Sequence, residues 1–203
     1  DSYGISISKN RFLEHIQYLK ENYEIVPVSF DTYENKLNRN TLSLTFDDGY
    51  KDNLYALELC EKYNIPFTLY ISTGFIGKKN YLNKSELLLF SKSKLCRLGT
   101  HSVSHPHLSK LDYDEQFTEL NDSKNTLEDI LGYEISEMSY PHGSYNSDTI
   151  KLLDKIGYNL ISSSNIGLNT IENLDLTKLK RIEIIADDDL KQLNNKILGY
   201  YDY

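Results

Sequence analysis

The stretch TLSLTFDDG, at positions 41–49, carries the clearest fold signal in the sequence. Its first six residues are mostly β-branched or apolar and predict a strand over 41–46, which the Asp-Asp-Gly turn then ends. A helical pattern follows over 52–63, and the next strand pattern, PFTLYI, occupies 66–71. Parallel strands need a crossover of this kind, so the order predicts an α/β fold built on a parallel sheet.

The same alternation of strands and helices extends on both sides of this stretch. Further strands are predicted at 24–28, 95–99, 135–140, 158–162 and 179–185, and helices at 9–22, 84–91, 112–131, 147–156 and 188–198. No internal repeat and no Pro- or Gly-rich linker separates them. The sequence therefore predicts a single domain over residues 1–203.

The composition excludes several classes of protein. The 203 residues include 22 Lys and Arg against 30 Asp and Glu, a net charge of −8, whereas a nucleic-acid-binding protein usually has a basic surface. No apolar run approaches the roughly 18 residues that a membrane span needs. The 2 cysteines are too few for a disulfide scaffold, and tryptophan is absent. The composition does not exclude neutral or cationic binding partners.

Chemically capable side chains directly follow three of the predicted strands. Asp47 and Asp48 follow one strand, His101 and His105 follow another, and His142 follows a third. Enzymes with parallel strands place their sites at the carboxyl ends of those strands. These residues are therefore expected to lie in one site.

The adjacent carboxylates of Asp47 and Asp48 repel each other unless a cation lies between them or one is protonated. A bound metal would make one carboxylate a ligand and leave the other free as a base. A solvated Asp-Asp-Gly turn is the alternative for this pair taken alone.

The segment HSVSHPH, at 101–107, holds three of the five histidines of the sequence. Pro106 disfavours a helical conformation at His105, so we predict a loop that brings the imidazoles of His101 and His105 together. His107 is expected to be exposed and to point elsewhere. One Asp with two His suits a catalytic zinc site and also a non-haem iron site, and a spare carboxylate beside the metal favours hydrolysis.

The segment SYPHGSY, at 139–145, combines Pro and Gly in a turn after a strand. Such a turn can direct a backbone N–H towards an oxyanion. On its own the segment indicates only a turn.

Together the three segments resemble the motifs of the polysaccharide deacetylase family, the NodB-homology enzymes of carbohydrate esterase family 4. TFDDG at 45–49, HSVSHP at 101–106 and SYPHG at 139–143 are similar to T-F-D-D-G, H-S/T-x-x-H-P and R-x-P-x-G. The resemblance covers about 40–185 and is greatest to exopolysaccharide de-N-acetylases. It implies a distorted TIM-like (β/α)7 barrel and metal-dependent removal of acetyl groups from sugars.

The resemblance also implies a role for each matching residue. Asp47 would be the catalytic base, and Asp48, His101 and His105 would be the ligands of a divalent metal. Zn²⁺ is the favoured metal, with Co²⁺, Ni²⁺ and Fe²⁺ as alternatives. The backbone N–H of His142 would help to bind the tetrahedral oxyanion.

A glycan that contains N-acetylated amino sugars is the expected substrate. Tyr50, Tyr140 and Tyr145 flank the motifs and, with Pro141, are expected to line a sugar-binding groove. Core packing is the alternative for most of them, because tyrosine is abundant in this sequence. The resemblance favours the cell envelope over the cytoplasm. Two alternatives remain: a hydrolase that acts on a non-sugar amide with the same site, and a weakened domain that only binds glycans.

The sequence departs from the family pattern in two ways. Ser139 stands where the third motif usually begins with Arg, and we predict that Arg181 replaces that Arg by pairing with Asp47; a surface cation is the alternative. The family also usually carries a late Trp and a late His that acts as general acid. No His follows His142, and His15 fits a packing role on a helix. The acid His, together with the first strand, is expected to precede Asp1.

Overall fold

The computed structural model describes residues 6–29, 32–33 and 40–200, and strands within them pair in parallel. The strands are β1 (Glu24–Ile25), β2 (Thr41–Leu42), β3 (Leu44–Phe46), β4 (Phe67–Ile71), β5 (Cys96–Thr100), β6 (Glu137–Ser139), β7 (Leu160–Ile166) and β8 (Leu179–Arg181). The main sheet has the order β3–β4–β5–β6–β7–β8, and β1 pairs with β2. Each strand of the main sheet therefore lies beside its neighbour in sequence.

Helices connect these strands. They are α1 (Lys9–Asn22), α2 (Asn53–Tyr63), α3 (Lys84–Lys92), α4 (Tyr113–Leu131), α5 (Ser147–Ile156) and α6 (Leu190–Ile197). Asp112 and Glu115 form a capping box at the start of α4, and Gly132 ends this helix with a φ of 79°. No helix of the described residues is long and apolar enough to cross a membrane.

All seven predicted strands are present, although their lengths differ from the predictions. The 41–46 run is divided at Ser43, so that β2 pairs with β1 while β3 pairs with β4. The prediction for 158–162 ended too early, because β7 continues to Ile166. The last predicted strand was too long: β8 ends at Arg181, at the edge of the main sheet.

The sheet curls into a half-barrel with apolar residues on both faces. Every residue of β4 is buried, as is typical of a parallel strand covered on both sides. Val28, shortly after β1, packs with Leu160 of β7 and Leu179 of β8. The segment that follows β1 therefore lies against the last two strands of the main sheet. The predicted α/β class and curled barrel are confirmed. A further strand before residue 1 stays a prediction.

Helices α1 and α6 pack together near these residues. Their contacts explain two polar features of the sequence that lie outside the site. His15 of α1 is buried, and its Nε2 donates to the carbonyl oxygen of Asp188 at 2.9 Å. Asp189 caps α6 in a capping box with Gln192. His15 thus has the expected packing role, and the Asp187–Asp189 run serves the start of a helix.

Candidate active site

Three turns bring the predicted site residues together at the carboxyl edge of the sheet. Asp47 and Asp48 follow β3, His101 follows β5 and His142 lies in the turn after β6. Because these strands are parallel, their carboxyl ends meet on the same side of the half-barrel. The sequence prediction of one shared site is therefore confirmed in position.

The potential ligand atoms of Asp48, His101 and His105 form a compact triangle. Nε2 of His101 lies 3.2 Å from Nε2 of His105, and Oδ1 of Asp48 lies 3.6 Å from the first and 3.3 Å from the second. Tetrahedral zinc with bonds of about 2.0–2.1 Å would separate its ligand atoms by about 3.3 Å. Oδ1 of Asp48 is also buried without a hydrogen-bond partner among the described residues. The triangle therefore fits a tetrahedral metal ion.

The protonation states of these side chains also suit a metal. Nδ1 of His101 donates to the carbonyl oxygen of Ser139 at 2.7 Å, which leaves Nε2 with its lone pair towards the triangle. Burial lowers the pKa of His101, and it lowers the pKa of His105 to about 4. Both imidazoles are thus neutral at pH 7. Burial raises the pKa of Asp48, a cost to the carboxylate that a cation would offset.

The site concentrates unusual backbone conformations. Four of its non-glycine residues have positive φ: Asp48 (72°), Ser102 (62°), His105 (59°) and His142 (56°). Conformations of this kind are costly outside glycine and are maintained where the surroundings determine them. They direct side chains that a regular strand or helix would turn away from the triangle.

Glu119 of α4 holds the loop between the two histidines. Its carboxylate accepts hydrogen bonds from the backbone N–H of Val103 and of Ser104, both at 2.9 Å, and from the Ser104 hydroxyl at 2.6 Å. This contact was not anticipated from the sequence, because Glu119 lies in a long polar helix without a local motif. Glu119 therefore supports the triangle indirectly, because it holds the backbone of the loop that carries the two histidines.

Arg181 lies against the carboxylate of Asp47, as predicted. Nη1 donates to Oδ1 at 2.8 Å and Nη2 donates to Oδ2 at 2.7 Å, while Nη2 also donates to the Ser139 hydroxyl at 3.0 Å. The Ser139 hydroxyl in turn donates to Oδ2 of Asp47 at 3.3 Å. Burial alone would raise the pKa of Asp47, but the charge of Arg181 outweighs it and holds the pKa well below its usual range. Asp47 is therefore a fixed carboxylate beside the metal triangle.

The structure corrects the expectation for the residues around the third motif. Tyr140 is fully buried and its hydroxyl donates to the carbonyl oxygen of Thr177 at 2.9 Å, and Pro141 is buried as well. Neither side chain lines a groove, because both follow β6 into the core. Tyr145 is partly exposed, and its ring stacks on Tyr140 at 4.6 Å between ring centres.

The imidazole of His142 lies between those of His105 and His107, so that a stack of rings extends outwards from the triangle. The ring centre of His142 lies 4.3 Å from that of His105 and 4.1 Å from that of His107. His107 is exposed, as expected, but it does not point away from the site. The backbone N–H of His142 forms no hydrogen bond with any residue in the described part of the chain.

A curled parallel half-barrel with an Asp, two His and a fixed second carboxylate at its carboxyl edge is suited to metal-dependent hydrolysis. The chain belongs to the polysaccharide deacetylase family, whose sequence profile matches residues 34–161. The resemblance inferred from the three motifs is thereby confirmed.

Individual relatives agree with this assignment. The chain is 28% identical over 163 residues to YxkH of Bacillus subtilis, a protein named for this family, and this match covers 77% of the chain but 58% of the relative. It is 26% identical to the poly-β-1,6-N-acetyl-D-glucosamine N-deacetylase of Staphylococcus aureus, over 97% of the chain and 73% of that protein. The deacetylase PplD of Streptococcus pyogenes, solved with acetate, superposes with a TM-score of 0.85 at 26% identity, over 94% of the chain and 87% of PplD.

Proposed function

We propose that this chain is a metal-dependent hydrolase that removes N-acetyl groups from N-acetylhexosamine units of a bacterial glycan. The observation that carries the proposal is the pairing of a metal-sized Asp48–His101–His105 triangle with the ionised carboxylate of Asp47. The name of the Staphylococcus aureus relative directs the substrate class towards polymers of N-acetylglucosamine. A cell-envelope location stays a prediction.

The triangle supplies two imidazole nitrogens and one carboxylate oxygen. A divalent cation held by these three groups acidifies water and polarises a carbonyl oxygen. We propose Zn²⁺, because neutral imidazole and carboxylate ligands at this spacing suit its bond lengths and a three-ligand site leaves a position open. Asp48 is the ligand that balances part of the charge of the cation.

Asp47 is the general base of the proposed reaction. Its carboxylate accepts the proton of the water that attacks the acetamide carbon. Arg181 and Ser139 hold this carboxylate by three hydrogen bonds and fix the direction in which it accepts. The charge of Arg181 keeps Asp47 ionised at neutral pH, as a proton acceptor must be, and a metal held by the triangle would lower the pKa of the water that loses its proton.

The backbone N–H of His142 stabilises the oxyanion in this proposal. It belongs to a turn that Pro141 and Gly143 fix directly after β6, and no described residue accepts its hydrogen bond. An unengaged N–H at a reacting centre stabilises developing negative charge. Cleavage also requires a proton on the departing nitrogen, and a histidine donor for that proton stays a prediction from the sequence.

Acetate release from N-acetylglucosamine oligosaccharides tests the function. The chain is loaded with Zn²⁺, treated with dipicolinate and reloaded, and we expect activity to be lost and then restored. Asp47→Asn should lower the rate by about 100-fold to 10,000-fold while it retains the metal. Failure of the loaded chain to release acetate from any N-acetylated sugar would refute the proposal. Release from a linear amide alone would favour the non-sugar alternative, and oligosaccharide binding without release would favour the glycan-binding one.

A further inference from the structure

An aromatic stack lies beside the metal triangle and is not used by the chemistry described above. The ring of Tyr50 stacks on that of Tyr81, with centres 4.8 Å apart and planes 24° apart. Tyr81 packs in turn against Phe75, at 4.9 Å between centres. Tyr50 follows Asp48 by two residues in the turn after β3, which places the stack next to the triangle.

Backbone hydrogen bonds hold the two tyrosines in register. The N–H of Lys51 donates to the carbonyl oxygen of Asn80 at 2.8 Å, and the N–H of Leu82 donates to that of Gly49 at 3.0 Å. Tyr50 and Tyr81 form an isolated antiparallel bridge between these bonds. The stack is thus preorganised, and a ligand that used it would lose little entropy in ordering it.

The stack is open to solvent and borders a cavity. Tyr50 is 37% exposed, whereas Tyr70 and Tyr140, which serve only the core, are fully buried. A cavity of about 350 Å³ is lined by Tyr50, Lys51, Asp52 and Asn80. This volume lies within the range of small-molecule sites, which is about 300–1,000 Å³.

The lining has the chemistry that a sugar ring requires. A pyranose presents C–H groups on its faces and hydroxyl groups around its edge, so it suits an aromatic ring bordered by polar side chains. Asp52 and Asn80 supply such polar groups, and the Asp52 side chain makes no capping hydrogen bond to α2. Lys51 pairs with Glu86 at 2.9 Å, which fixes its position at the border.

We propose that Tyr50 and Tyr81, with Lys51, Asp52 and Asn80, form a subsite for a neighbouring sugar of the glycan. This inference rests on the proposed function and deepens it. The sugar on the stack positions the next unit, whose acetyl group then reaches the metal triangle. The site accordingly selects a chain of sugars over a single N-acetylhexosamine.

Tyr81 is the residue to test, because it supports the ring of Tyr50 without touching a proposed metal ligand. In Tyr81→Ala, we expect the KM for a β-1,6-linked N-acetylglucosamine pentasaccharide to rise about tenfold relative to the KM for 4-nitrophenyl acetate. Calorimetry should show a similar loss in pentasaccharide affinity. Tyr81→Phe keeps the ring and should retain most of that affinity.

Tyr133→Ala is the matched control, since Tyr133 is an exposed tyrosine beyond the far end of α4. Wild-type behaviour of Tyr81→Ala with both substrates would overturn the subsite, as would an equal change with both. Acetate release with an unchanged pentasaccharide affinity in Tyr81→Ala would refute the subsite and leave the function intact. Pentasaccharide binding that depends on Tyr81, without acetate release by the wild type, would refute the function and support the subsite.

Discussion

Arg181, the last residue of β8, forms two hydrogen bonds of 2.8 and 2.7 Å with the carboxylate of Asp47, the first residue after β3. These residues belong to opposite edges of the main sheet, so a side-chain ion pair joins the edges where the described strands form no backbone hydrogen bonds. Ser139 occupies the motif position where the family usually has its Arg, and its hydroxyl contacts both partners. An arginine on another strand thus contacts Asp47, the proposed base.

Arg181→Lys should impair catalysis without loss of the metal. A lysine keeps the charge but cannot form the two parallel hydrogen bonds that fix the Asp47 carboxylate. We expect kcat to fall by about 10-fold to 100-fold with a smaller change in KM, as is usual when the partner of a functional group is removed. Steady-state acetate release, combined with metal analysis of the same sample, measures both quantities.

Arg97→Lys is the control for this variant. Arg97 of β5 pairs with Glu137 of β6, so it is another arginine–carboxylate pair between strands, remote from the triangle. Its replacement should leave kcat near that of the wild type. An equal loss of kcat in both variants would show that Arg181 acts through general stability.

Loss of any ligand of the triangle should remove the metal. Asp48→Asn removes the negative charge of one ligand, and His101→Gln and His105→Gln each remove an imidazole nitrogen, from a set whose members lie 3.2–3.6 Å apart. We expect substoichiometric zinc after dialysis of each variant, measured by atomic emission. His107→Gln, which alters an exposed ring outside the set, should keep one zinc per chain. Stoichiometric zinc in His101→Gln would contradict the ligand assignment.

The sequence was sufficient for the succession of strands and helices along the chain and for the residues of the triangle, because local signals determine both. Asp48 follows a strand directly, and the Pro after His105 marks the loop that holds both imidazoles. Tyr140 shows where such reasoning fails. Its place beside a motif indicated exposure, but whether its ring enters the core depends on the path of the chain after β6. Glu119 was missed for a similar reason, since its partners lie 15 and 16 residues away in the sequence.

Acid should destabilise the metal-free protein through His105. Its pKa is about 4 in the folded chain, lowered by burial, and about 6.5 in an unfolded chain. Between these values the unfolded state binds more protons, so the free energy of unfolding falls as the pH is lowered from 6.5 to 4. Urea denaturation at several pH values should show a shallower decline in His105→Gln than in the wild type. Equal slopes would show that this imidazole does not contribute.

Glu119→Ala should weaken metal binding although Glu119 touches no metal ligand side chain. The carboxylate holds the backbone of Val103 and Ser104, and the positive φ of Ser102 and His105 on either side needs that support. We expect zinc affinity to fall by about 10-fold to 100-fold, the usual effect of a lost outer-shell partner. Competition with a chromophoric chelator measures it.

Glu128→Ala provides the comparison on the same helix, because Glu128 also accepts a backbone N–H, that of Ile135 at 2.7 Å, but lies away from the loop. This variant should retain the zinc affinity of the wild type even where its thermal stability falls. If Glu119→Ala binds zinc as tightly as Glu128→Ala, the loop keeps its conformation without the carboxylate. The convergence of His101 and His105 would then be determined by the segment between them and not by α4.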